Sequence, residues 1–483
     1  MDSNKLLLLG GAVLASVSCT SAGQPHHRPN VILIMADDMG WGDVGFNGSS
    51  WISTPCLDSM AREGVVLSRF YAAAALSSPT RASVLTGRNP YRTGVFSANV
   101  GILREEELTL PEILHAAGYR TGHFGKWHLG SLTCSEADAN RGREGNTKDY
   151  NPPSLHGYDQ AFVTESKVPT WDPMKQPSGR GDGKCWDCLQ EGESWIDYGT
   201  AYWDIDGRRV TDNLDGDDSR VIMDRVLPFI EESSSAGAPF LAVVWFHAPH
   251  LPCVAGPEYA AMYQGMDELS RNYGGCITAM DAQVGRLNAF LREKGLAENT
   301  VIFFCSDNGP ENGTPGEAGI FRERKRSLHE GGVRVPSIAY CPGLFKPAVC
   351  DELCSTMDYL PTVLELTSTA LPQNAYTLDG SSFARALLKG SSTSGHSVTM
   401  LLGGQVASVN GQYKMYSKNG RFELYDIVAD PSESSDISAA NPNLLETFRQ
   451  ETSCFIESCK ESFKGAEYGT ASYLRTGQKW PIK

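Results

Sequence analysis

Val31-Ile32-Leu33-Ile34-Met35-Ala36-Asp37-Asp38 sets the fold class of this chain: an unbroken apolar run that ends on two carboxylates. A strand with one wet face alternates apolar and polar residues, whereas a continuous Val/Ile/Leu/Met run fits a strand covered on both faces. Phe240 to Phe246, Val301 to Cys305 and Ser337 to Tyr340 share that habit. Helical patterns such as Leu110 to Ala117 and Asp281 to Lys294 lie between them. This alternation predicts an α/β fold with a large, mostly parallel sheet sandwiched by helices. Polar clusters follow three of the runs directly: Asp37-Asp38, His247 to His250 and Asp307-Asn308. Ligands bind at the carboxyl ends of strands in open α/β sheets, so the chemistry is predicted to gather along one edge.

With 483 residues the chain is long enough for a large core and a second unit. After Leu378-Asp379-Gly380 its style changes: Tyr413 to Tyr416 and Phe422 to Tyr425 flank Asn419-Gly420, a strong hairpin signal. Residues 393–483 are predicted to form a small antiparallel sheet with a packed helix, behind a main α/β domain over 29–392. Within that domain 131–200 reads as loop-rich, with Trp171, Trp186 and Trp195 able either to stack on sugar rings or to pin loops to the core. Residues 1–28 read as an export segment, with Lys5 before an apolar run, Leu6 to Val17, too short to span a bilayer. Cys19 follows Ser16-Val17-Ser18 in the manner of a bacterial lipobox. The expectation is an exported protein of the periplasm or cell surface, lipid-anchored through Cys19.

The net charge of −15, from 42 basic and 57 acidic residues, argues against nucleic acid or an anionic membrane as the main partner. An anionic substrate would need a basic pocket within this acidic surface. Apart from Cys19, twelve cysteines are too sparse for a disulfide scaffold. Cys185/Cys188, Cys350/Cys354 and Cys454/Cys459 are close enough in sequence for local bridges, and zinc at the first pair is the minor alternative.

Ser77-Ser78-Pro79-Thr80-Arg81, continuing to Leu85-Thr86-Gly87-Arg88, begins like a helix: Pro79 suits a first turn and Ser78 is an acceptable N-cap. Ser77 then sits at the positive end of that helix, where an anion is favoured, with Arg81 one turn on. Asp37, Asp38, Asp307 and Asn308 offer the hard oxygens that Ca²⁺ or Mg²⁺ prefers. Gly125-Lys126-Trp127-His128-Leu129-Gly130, Phe246-His247-Ala248-Pro249-His250 and Arg324-Lys325-Arg326-Ser327-Leu328-His329-Glu330-Gly331-Gly332 add cations and imidazoles. Each block alone is ordinary, since Asp and Asn commonly cap strands and a lone histidine is usually structural.

Together, in this order from residue 29 to about 433, the blocks resemble the type I sulfatases of the alkaline-phosphatase-like superfamily. The resemblance implies that Ser77, fixed by the Pro two positions on, is oxidised to formylglycine, whose hydrate takes the sulfuryl group and expels it by collapsing to the aldehyde. Metal ligation by Asp37, Asp38, Asp307, Asn308 and modified Ser77 is implied, with Ca²⁺ or Mg²⁺ as the ion. Arg81, Lys126 and Lys325 would hold the nucleophile or sulfate, His128 would take a proton from the hydrate, and His250 would serve the leaving oxygen. His247 and His329 are implied as weaker substrate contacts; many relatives carry an aromatic residue where His329 stands. Serine rather than cysteine at position 77 implies a bacterial producer with a radical S-adenosylmethionine maturase as a partner. A sulfated polysaccharide or oligosaccharide is the expected substrate. Two rivals are a phosphohydrolase using unmodified Ser77 and a catalytically silent glycan-binding lipoprotein.

Overall fold

A computed structural model describes residues 28–179, 183–390, 396–468 and 479–482. The export segment read over 1–28 lies outside them except for its last residue, and Cys19 is wholly outside. The apolar runs become strands of one nine-stranded sheet. In chain order its strands are β1 (Asn30–Ala36), β2 (Val65–Leu67), β3 (Arg120–Lys126), β4 (Gln160–Thr164), β5 (Tyr202–Asp204), β6 (Phe240–Trp245), β7 (Thr300–Ser306), β8 (Ser337–Tyr340) and β9 (Ala348–Cys350). Their spatial order is β9-β2-β8-β7-β1-β6-β3-β4-β5. The central strands β7, β1, β6, β3 and β4 run parallel, while β8 and β5 are antiparallel to their inner neighbours.

The sheet is covered on both faces, as the continuous runs require. Val31, Leu33 and Met35 of β1 enter one core with Ala82, Val84 and Leu85 of helix α1 (Ser77–Thr86). Ile32, Ile34 and Ala36 enter the opposite core with α2 (Asp218–Ser235) and α3 (Glu268–Glu293). Every residue of α1 is buried, and the helix stops at Gly87 in the left-handed conformation. The sequence alone suggested no strand over 120–126. Arg120-Thr121-Gly122-His123-Phe124-Gly125-Lys126 has no apolar run, and its burial comes from the rings of Trp127, Tyr158 and Trp245 around His123. Gly125, at φ 97°, is required there: a Cβ would stand 2.0 Å from the Trp245 carbonyl oxygen.

The stretch 131–200 also holds β4, so it is not loop throughout. Trp186 is buried and Trp171 packs against Gly256, pinning loops, while Trp195 is exposed with the Lys175 ammonium 5.4 Å from its ring centroid. Strands β10 (Ser397–Leu402), β11 (Gln405–Asn410), β12 (Tyr413–Lys418) and β13 (Arg421–Asp426) form the C-terminal antiparallel sheet in sequential order. Helix α4 (Pro442–Phe463) packs on it through Phe448 against Met415 and Leu424. No disulfide joins any two of the twelve described cysteines, so none of the three local pairs is bridged.

Candidate active site

Because β1, β3, β6 and β7 are parallel neighbours, the residues that follow them meet at one sheet edge. Asp37 and Asp38 leave β1, Lys126 ends β3 with His128 just beyond, His247 and His250 follow β6, and Asp307 and Asn308 follow β7. Helix α1 presents Ser77 to this edge as its first residue. Leu76, not Ser78, is the N-cap; Ser78 lies inside the first turn, where its Oγ donates to the His128 carbonyl at 2.7 Å. A Ser78 side chain spent on that loop is unavailable to cap its own helix.

The Ser77 hydroxyl donates to Asp37 Oδ1 at 3.1 Å. Arg81 donates to Asp307 Oδ2 at 2.9 Å, lies 3.7 Å from Asp37 Oδ1, and stacks its guanidinium 4.9 Å from the Trp245 ring. Lys126 Nζ donates to Asp37 Oδ2 at 2.5 Å, using one of its three N–H donors. Lys325 Nζ lies 2.6 Å from Asp38 Oδ1 and 3.2 Å from Glu311 Oε2. His250 Nε2 is 3.5 Å from Asp38 Oδ2, while its Nδ1 contacts the Leu251 carbonyl at 2.7 Å. That second contact fixes the proton on Nδ1 of the neutral ring and leaves Nε2 as an acceptor.

Charge in this buried cluster is strongly biased. Burial raises the Asp37 carboxyl, but Lys126, His250, Arg81 and Lys325 together outweigh it and hold it well below the usual carboxylate range. Burial, then the charges of Asp37 and Asp38, push Asp307 up to about 7 against the pull of Arg81. Burial lowers Lys126 despite Asp37, whereas for Lys325 the neighbours Asp38, Asp37 and Glu311 outweigh burial and raise it. His250 is lowered to about 4 by burial, and His128 well below its ordinary value by burial, Lys126 and Arg141. His128 is therefore a neutral base at neutral pH, with Nε2 on Asn99 Oδ1 at 3.0 Å and a buried Nδ1 that has no hydrogen-bond partner among the described residues. Asp38 and His128 both adopt left-handed backbone, φ 67° and 59°, the kind of strain held where a site is over-determined.

Two comparisons decide the family. The family profile described as Sulfatase matches residues 29–369. N-acetylgalactosamine-6-sulfatase of Sus scrofa is 32% identical over 424 residues, covering 83% of this chain and 73% of that protein. This chain belongs to the sulfatase family. It is a sulfuric ester hydrolase. Arylsulfatase A of Homo sapiens is 32% identical over 456 residues, covering 90% of this chain and 84% of that one. Among solved structures, Ps i-CgsB in complex with k-i-k-neocarrahexaose is 27% identical with a TM-score of 0.76, over 93% of this chain and 96% of that one.

The donors of this sulfatase suit a hard divalent cation. Asp37, Asp38 and His250 offer ligand atoms within 4.8 Å of one another. Asn308 Oδ1 is buried without a hydrogen-bond partner among the described residues, although its Nδ2 reaches Asp38 Oδ1 at 2.8 Å, and Asp307 Oδ1 accepts from the Asp38 amide at 3.0 Å. Three crowded carboxylates and an orphaned amide oxygen are what such an ion satisfies.

Not every residue singled out in the sequence joins this cluster. His247 is fully buried, with Nδ1 2.8 Å from Asp218 Oδ2 and Nε2 2.7 Å from Thr164 Oγ1, so it has no ring nitrogen free for a substrate. His329 stacks on Tyr416 at 4.0 Å and lies 3.1 Å from Glu433, in a cleft beside Lys325. Three residues went unforeseen. Asn99 holds His128, and Glu311 is drawn down to about 2 because Arg326 and Lys325 outweigh its burial. Lys167, just beyond β4, is half-buried and near enough to Lys325, Asp38, Asp37 and Glu311 for its charge to interact with theirs. Glu311 was within reach of reading, four residues after Asp307; Lys167 was not, because β4 itself gave no signal.

Proposed function

We propose that this sulfatase removes O-sulfate from a polysaccharide or oligosaccharide, through formylglycine made from Ser77 and with a divalent cation held by Asp37, Asp38, Asp307 and Asn308. One observation carries the reading: Ser77 Oγ, at the first residue of a buried helix, sits 3.1 Å from Asp37 amid Arg81, Lys126, Lys325, His128 and His250. A bound cation supplies Lewis-acid stabilisation of an alkoxide and of sulfate charge.

The chain's own residues do the rest. A hydroxyl of hydrated residue 77 attacks sulfur as the S–O bond to the sugar breaks, and the departing alkoxide takes a proton from the Lys325 ammonium, with the His250 ring beside it. Lys126, Lys325 and Arg81 offset the charge that builds on the sulfuryl oxygens and the leaving oxygen. His128, neutral and with Nδ1 unoccupied, accepts the proton of the second hydroxyl as the sulfate leaves and the aldehyde reforms. Water then rehydrates the aldehyde. The names of relatives support a saccharide substrate: an N-acetylgalactosamine-6-sulfatase, and a structure holding neocarrahexaose. Export to the periplasm or cell surface, an anchor at Cys19 and a serine-type maturase belong to this same proposal, motivated by residues 1–28 and by serine at position 77.

Matured enzyme assayed on sulfated saccharides beside their phosphorylated counterparts tests the reading. Selective sulfate release is expected. Faster phosphate release would replace it with a plain-serine phosphohydrolase, and no release from either with a silent binder.

A further inference from the structure

Beside Lys325 a cleft of about 460 Å³ runs toward the turn of the C-terminal hairpin. Its size lies within the range of sites for small ligands. One wall carries Arg322 and Arg326, and the other carries Lys418 and Arg421. Lys325 also lines it, but Lys325 and Arg326 are paired with Asp38 and Glu311, so Arg322, Lys418 and Arg421 against Glu323 and Glu423 set the charge of the cleft, in a chain whose net charge is −15.

Lys418 and Arg421 are the pair that closes the Asn419-Gly420 turn, directly opposite each other in the β12–β13 ladder. Like charges at opposed positions destabilise a sheet, and one acidic partner would have removed the conflict. Among the described residues Arg421 has one ion pair, with Glu423 at 3.4 Å, and its side chain is 82% exposed. Lys418 is exposed and has no ion-pair partner among the described residues. The turn thus holds two exposed cations together with one acidic partner between them, facing the same cleft as Lys325. Lys325 links the two places, because its ammonium is bound to Asp38 while its side chain lines the cleft.

We infer that this cleft is a second anion subsite, which takes a sulfate or carboxylate on a neighbouring sugar of the chain being desulfated. The inference rests on the saccharide sulfatase reading and narrows it: the substrate is a saccharide with more than one anionic group. Lys418 and Arg421 act as specificity residues, remote from the reacting bond.

The test uses full-length protein with Ser77→Ala, so that nothing turns over, and calorimetric binding of persulfated maltohexaose, glucose 6-sulfate and inorganic sulfate. The K418A/R421A pair is expected to weaken persulfated maltohexaose about five- to tenfold and to flatten the salt dependence of its binding. K418R/R421K, which keeps both charges, should restore the parent affinity, and this also excludes misfolding as the cause. Glucose 6-sulfate and inorganic sulfate should bind all variants alike. Equal affinities of the parent and the alanine pair for persulfated maltohexaose would overturn the inference. So would an equal loss for glucose 6-sulfate, which would place the effect in the catalytic pocket. Sulfate release by matured enzyme is a separate arm: no release, with charge-dependent binding intact, would sink the sulfatase reading and leave the subsite standing.

Discussion

Two buried charge clusters lie a few residues apart on the same segment of chain, and they are built to opposite ends. In the first, Lys414 of β12 stands between Glu330 Oε1 at 2.8 Å and Glu433 Oε1 at 3.0 Å, all three side chains fully buried. Glu330 Oε2 accepts from Tyr71 at 2.8 Å and lies 3.2 Å from Arg334, and Glu433 Oε2 accepts the Glu330 amide at 2.7 Å. Each carboxylate oxygen thus has a cation or donor within 3.2 Å, although Glu433 Oε1, between Lys414 and His329, makes ion-pair contacts without an aligned hydrogen bond. The cluster ties the C-terminal sheet to the segment that carries Lys325. The second cluster, around Ser77, leaves Asn308 Oδ1 and His128 Nδ1 unpartnered among the described residues and crowds Asp307 against Asp37 and Asp38. A closed cluster can only hold the fold, whereas an open one retains groups for a ligand.

Four changes would break or sharpen that contrast. Lys414→Met should be the most damaging to stability. It leaves two buried carboxylates without their shared cation, a loss of about 3–5 kcal/mol, read as a lower guanidinium midpoint. Turnover per folded molecule should stay near that of the parent; a stable but inactive Lys414→Met protein would show that the closed cluster is catalytic. Lys325→Ala and His250→Ala should do the reverse, losing about two to three orders of magnitude in turnover with the melting temperature little changed. The loss should be greatest for sugar sulfates and milder for nitrophenyl sulfate, whose leaving group needs little protonation.

Removing metal comes third. Chelator should abolish activity and lower stability by up to about 2.7 kcal/mol for an ion present at a hundred times its Kd. Asp307→Ala should show no metal-dependent melting shift, and a full shift in that variant would move the ion elsewhere. The smallest effect concerns His396, 3.1 Å from Asp358. Burial lowers its pKa, but Asp358 outweighs burial and the net shift is upward from 6.5. A group raised on folding stabilises fully below its unfolded pKa and loses that contribution as pH rises through the folded one. His396→Gln should therefore flatten the decline in melting temperature above pH 6.5. An unchanged slope would remove the pair from the stability balance.

Much of this contrast was legible in the sequence. Strands β1, β6, β7 and β8 were visible because burial on both faces demands unbroken apolar runs. The gathering of Asp37, His250 and Asp307 at one edge followed from their places after three such runs. Strand β3 was hidden, because Gly122, His123 and Gly125 make room for neighbouring rings rather than supplying apolar surface themselves. Spacing could not separate His247 from His250 either. Both follow β6, yet only the fold shows that Asp218 and Thr164 occupy both nitrogens of His247. The closed cluster was equally opaque: Lys414 and Glu433 are separated by a hairpin and a turn, and nothing local predicts that they share a buried pair with Glu330.

The central claim is that the open cluster works through an oxidised residue 77. Tryptic cleavage after Arg69 and Arg81 isolates a peptide that carries both Ser77 and Ser78, and fragment-ion mass spectrometry distinguishes them. In preparations matured to different extents, specific activity should rise in proportion to the fraction of peptide that has lost two hydrogens at Ser77. Full activity in protein whose Ser77 remains an unmodified serine would contradict the claim.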